Sequence, residues 1–105
     1  MAEEIHLRAV AFREGDAWII QGIEYDIVAH AADPADVPDA FMRAVFENVC
    51  ITKHLGRDQP LQGIKPAPAR FAEMFEQART SLRSLSTPPY LPVTEIDIRL
   101  AQHIS

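Results

Sequence analysis

Residues 5–12 alternate. Ile5, Leu7, Ala9 and Ala11 fall on one face, His6 and Arg8 on the other, and Val10 and Phe12 turn that second face apolar toward its end. The period of two predicts a strand over Ile5 to Phe12. Arg13-Glu14-Gly15-Asp16 supplies a polar hairpin loop with a glycine. Ala17 to Ile23 is β-branched and aromatic and reads as a second strand, and Tyr25 to Ala31 reads as a third. Three successive strands with short links predict an antiparallel meander.

The period then lengthens. Asp33 can cap a helix whose first position is Pro34, where a missing N–H costs nothing, and Pro38 can delay or kink that start. Beyond it Phe41, Ala44, Val45 and Val49 form one stripe, and Met42, Phe46 and Cys50 form another beside it. The combined arc is too wide for one sheet contact. The helix is therefore expected to pack on the sheet with one flank and to meet a second helix or a partner subunit with the other. Met42, Phe46 and Cys50 are the candidate residues of a homo-oligomer interface. Gly56 should end the helix, with His54 at the negative end of its dipole.

Residues 57–69 contain Pro60, Pro66 and Pro68 but also Leu61 and Ile64, so they read as an ordered loop pinned to the surface. Phe71, Met74, Phe75, Ala78 and Leu82 recur at helical spacing and predict a second helix from Pro68 to Leu85, broken by Ser86-Thr87-Pro88-Pro89. Ile96, Ile98 and Leu100 alternate with Glu95, Asp97 and Arg99, which predicts a C-terminal strand belonging to the sheet. The fold class expected is α+β: a three-stranded antiparallel meander plus a C-terminal strand, packed against two helices.

Composition narrows the function more than the fold. A chain of 105 residues, 48% hydrophobic, is expected to form a single domain over 1–105. No apolar run reaches membrane-spanning length, and Met1-Ala2-Glu3-Glu4 has the wrong charge for a secretory signal. One cysteine, Cys50, permits no intrachain disulfide, which fits a reducing cytoplasm. A net charge of −5 argues against nucleic acid and suits solubility or a basic protein partner.

Catalytic signatures are mostly absent: there is no glycine-rich phosphate loop, no nucleophile elbow and no Cys-x-x-Cys. His6, His30, His54 and His103 are scattered, and Cys50 sits on an apolar helix flank beside Lys53 alone. Trp18, opening the second strand, reads as a core anchor. Glu24 and Asp26 are the one close acidic pair of the strand region, and two apart in an extended chain they would point the same way. A two-metal nuclease needs further converging carboxylates, which the sequence does not supply. The reading is a non-enzyme with no metal and no cofactor. Glu24, Tyr25 and Asp26 are instead expected at an exposed link, as candidate partner-binding residues. The ring offers rigid contact area, and the carboxylates can take an arginine in a two-pronged geometry.

The stretch "FREGDAWIIQGIEYDIVAHAADPADVPDAFMRAV" resembles the HicB-like proteins. It has an acidic hairpin turn, an aromatic residue opening the second strand, the Glu-Tyr-Asp link, and a small polar step into a helix with early acidic residues. "GIKPAPARFAEMFEQA" is similar to the tail of solitary HicB-like proteins. The resemblance covers about the first half of the chain, and its motifs are patterns rather than a strict signature. It implies a truncated ribonuclease-H-like domain, three strands followed by a helix, with no catalysis of its own. It also implies an antitoxin that silences a small RNA-cleaving toxin and assembles as dimers or tetramers. Self-repressing members append a helix-turn-helix or ribbon-helix-helix module, whereas the stretch after Leu85 here reads as a proline turn and one strand. Two other classes stand beside this one: a structural or regulatory homo-oligomer with an unrelated partner, and a metal-dependent nuclease.

Overall fold

β1 (Ile5–Glu14) carries a core on each of its faces, and the rest of the molecule is arranged around that fact. The computed structural model describes residues 5–78, 93 and 95–101, and the main chain of 80–86 and 94. In chain order β1 is followed by β2 (Ala17–Gly22), β3 (Val28–Ala31), a 3-10 turn (Pro34–Asp36) and α1 (Val37–His54). Then come α2 (Ala69–Gln77), β4 (Thr80–Ser86) and β5 (Val93–Leu100). The strands form one five-stranded sheet in the order β3-β2-β1-β5-β4. β1–β2, β2–β3 and β4–β5 run antiparallel, while β1 and β5 run parallel. The fold is α+β, with the expected meander and both expected helices. The C-terminal strand lies inside the sheet, between β1 and β4.

The two faces take different helices. Leu7, Ala9 and Ala11 of β1, Ile20 of β2, Ala29 and Ala31 of β3, and Ile96 and Ile98 of β5 form one buried face. Val37, Phe41 and Val45 of α1 close it, together with Leu61 from the long loop. On the opposite face Val10 and Ile23 meet Phe71 and Phe75 of α2, with Phe12 packed alongside. The Phe12 and Phe71 rings stack with centroids 6.0 Å apart. Alternation in β1 is thus apolar on both sides because the strand is covered on both sides.

Local chemistry sets the helix ends. The Asp33 carboxylate accepts from the Ala35 N–H at 2.9 Å, and the chain makes a 3-10 turn before α1 begins at Val37. Pro38 does delay the start, and near the N-terminus its missing donor is not needed. Gly56, at φ 75, stops the helix. Its N–H bonds the Lys53 carbonyl at 3.0 Å and the Arg57 N–H bonds that of Thr52 at 3.1 Å, so the last carbonyls are satisfied. The buried Thr52 hydroxyl also accepts the Leu61 N–H at 3.1 Å, which pins the proline-rich loop to α1.

The second helix differs most from expectation. It does not continue to Leu85; it ends at Gln77, Ala78 is already extended, and Thr80–Ser86 is the edge strand β4. Ala78 and Leu82 matched the helical period, but Thr80, Ser81, Ser84 and Ser86 are weak helix formers, and pairing with β5 outweighs the pattern. Arg99 of β5 helps to fix the stop. It donates to the Phe75 carbonyl in the last turn of α2 at 3.0 Å and lies 4.2 Å from the centre of the Phe75 ring. The expected break at Thr87-Pro88-Pro89, the acidic tetrapeptide at residues 1–4 and His103 lie outside the described residues.

Candidate recognition surface

Between β2 and β3 the chain doubles back on itself. The expected third strand from Tyr25 shortens to Val28–Ala31, because the Gly22 N–H bonds the Ile27 carbonyl and the Ile27 N–H bonds that of Tyr25, each at 2.8 Å. Residues 23–27 are held from both sides. The Ile23 N–H reaches the Arg8 carbonyl at 2.9 Å, the Asp26 N–H reaches that of Lys65 at 2.7 Å, and the Ala67 N–H returns to that of Ile23 at 3.1 Å.

The two carboxylates do not act as a pair. Glu24 turns to β1, where its Oε1 accepts the Arg8 main-chain N–H at 2.7 Å and its Oε2 accepts the Arg8 Nε at 2.5 Å. The β1–β2 register ends at Ala9↔Gly22, so the Glu24 side chain takes over as ladder partner where the β2 main chain stops. Asp26 is exposed and accepts from the Nε2 of buried Gln21 at 2.8 Å. Tyr25 is half-buried and leans on the α1-side core. The sequence predicts both carboxylates solvated and open to an arginine. Glu24 is instead already engaged, with an arginine of its own chain.

Glu24 is therefore expected to be a stability residue. Glu24→Ala leaves the Arg8 N–H without its acceptor and should cost about 1–3 kcal/mol in urea denaturation. An unchanged denaturation midpoint would show that water replaces the carboxylate.

Met42 is half-buried, Cys50 is exposed and Phe46 is 41% exposed. α2 packs on the other face of the sheet and does not cover this flank of α1. On α1's other side and at its end, Ile51 and Leu55 are 54% and 62% exposed.

Sequence reasoning missed a second surface. α2 lies over β1, and among the described residues no element covers the β2–β3 half of the same face. Phe12, Ile19 and His30 form one row across β1, β2 and β3, and Gln21 and Val28 stand in the next. With Phe71 and Met74 as a wall, these rows bound a cleft of about 570 Å³, with Arg13, Glu14 and Arg70 at its rim. The signal was the two-residue spacing that puts Ile19 with Gln21, and Val28 with His30, on one face of their strands, which becomes a surface only once the register is known.

Among the described residues no three histidine, cysteine, aspartate or glutamate side chains gather into a metal-holding group, and no helix is long and apolar enough to cross a membrane. No family model, curated protein or solved structure matches the chain.

Proposed function

We propose that this chain is a non-catalytic, HicB-like protein-binding module, an orphan or diverged antitoxin that works in the cytoplasm on a small basic toxin-like protein. The observation that carries the reading is the fate of the Glu24-Tyr25-Asp26 link. Glu24 binds Arg8 and Asp26 accepts from Gln21, which supports reading the link as a shaper of the sheet rather than a metal site. The meander followed by α1 fits the three strands and helix that the resemblance implies. The acidic balance and the open apolar cleft fit a basic, partly apolar partner. The test is capture from native lysate with the full chain, followed by mass spectrometry, and a small basic protein in stoichiometric amount is expected. Magnesium- or manganese-dependent cleavage of an RNA·DNA hybrid that disappears in Asp26→Asn would overturn the reading.

A second reading, a structural or regulatory homo-oligomer, is favoured by the flank formed by Met42, Phe46 and Cys50. The two are compatible, and self-association through this flank is expected in both. Sedimentation at roughly tens of micromolar, where stable interfaces persist, should give a dimer or larger, and Phe46→Glu should shift it to monomer. A strict monomer at that concentration would remove the interface.

A further inference from the structure

We propose that β3 takes an extended segment of a protein partner as a sixth strand, with apolar side chains toward the cleft and basic ones toward Asp36 and Asp39. This rests on the protein-binding reading and names where and how that binding occurs.

The argument starts from the main chain. Gly22 donates to Ile27 of the β3 side, whereas Ile23 donates to Arg8 of β1. Since groups alternate along a strand, Ile20 and Trp18 also face β3. Their partners in register are Ala29 and Ala31, while Val28 and His30 stand opposite Gln21 and Ile19. The N–H and C=O groups of Val28 and His30 therefore point away from the sheet. Among the described residues nothing hydrogen-bonds to them, and both residues are exposed.

Sheet edges are normally blunted by proline, lysine or arginine, or by a bulge. β4, at the opposite edge, has a register shift between Ser81 and Arg83. β3 reads Val-Ala-His-Ala and pairs in unbroken register. Shortness is the guard β3 does have; of the two edges it is the one in unbroken register and without proline, lysine or arginine.

The surroundings specify the occupant. Residues directly opposite one another in an antiparallel pair project to the same face. Partner residues opposite Val28 and His30 would lean over the apolar cleft walled by Phe71 and Met74. The alternate partner residues would project to the α1 side. There Asp36 and Asp39, with Arg43 and His30 beside them, border a recess of about 350 Å³ floored by small residues such as Ala31 and Ala40. An apolar–basic alternation complements both sides, and four residues of β3 allow two double-bonded pairs.

The probe is a short capped peptide alternating leucine and lysine, titrated against the full chain by fluorescence anisotropy and followed by amide hydrogen exchange. Saturable binding is expected, with exchange at the Val28 and His30 amides slowed at least about tenfold. The same peptide N-methylated on the groups facing β3 should lose binding, and a leucine–glutamate peptide should bind at least about tenfold more weakly. Val28→Pro, which removes one outward donor, should weaken binding at least about tenfold on an intact fold. Asp36→Lys with Asp39→Lys should reverse the preference for lysine over glutamate. The exchange pattern of the unaltered chain decides the matter even if the proline variant misfolds. No saturable binding, or protection elsewhere than at Val28 and His30, overturns the proposal. A native partner whose affinity is untouched by Val28→Pro sinks the edge while leaving the protein-binding reading intact. Peptide binding with these signatures alongside hybrid cleavage sinks that reading and keeps the edge.

Discussion

Ending the chain before Val93 is expected to abolish the cooperative thermal transition. β5 pairs with β1 on one side and β4 on the other, so its removal splits the sheet and opens a new edge on each neighbour. Val93, Ile96 and Ile98 are at most 1% exposed and stand in the α1-side core. Ile98→Ala alone should cost about 2–5 kcal/mol, since neighbours close only part of such a cavity. That is a large share of the roughly 5–15 kcal/mol that typically holds a domain. Losing all three side chains with their ladder exceeds it. A truncated protein that melts like the full chain would mean that β5 is dispensable, contrary to its position.

Gly22→Ala is expected to give the other large effect, through a single methyl group. A Cβ there would stand 2.8 Å from the Tyr25 carbonyl oxygen, 3.2 Å from Phe41 Cζ and 3.3 Å from the Ile27 carbonyl oxygen. Two of these neighbours are main chain and the third is a fully buried ring, so none can swing aside cheaply. Overpacking of this kind costs about 1–3 kcal/mol. The displaced segment is the one that bonds Arg8, Gln21 and Lys65, so its hydrogen bonds should weaken together. Urea denaturation reads the first effect, and faster exchange of the Asp26 amide reads the second. A neutral Gly22→Ala would show that the link relaxes freely and that its hydrogen bonds do not hold it.

These expectations mark where sequence reading succeeds and where it stops. Both faces of β1 were legible because alternation survives even when each side is buried, and α1 was legible from Asp33-Pro34 at one end and Gly56 at the other. β4 was not: the helical spacing that ends with Ala78 and Leu82 arises by chance in a serine-rich strand, and only β5 as a neighbour decides it. The acidic link was recognised as the chemically distinctive stretch. Its role could not be read, since Arg8 lies sixteen positions from Glu24 and nothing local announces that contact. The cleft was hidden for the same reason. It is a property of register, with Ile19 beside His30 and Phe12.

The parallel junction of β1 and β5 sets an order of events during synthesis. Leu7 lies beside Ile96 and Ala9 beside Ile98, so an early-made strand waits for a late-made one. The meander and α1 leave the ribosome before β5, and in that interval the outer side of β1 lacks its β5 neighbour. Closing so long a loop adds little to the thermodynamic cost, which grows only slowly with length, but it slows the search. The nascent chain thus passes through a stage in which an apolar strand in the middle of the future sheet is open to whatever binds unfinished proteins. Stalling translation before Val93 should prolong that stage and make the nascent chain a chaperone client.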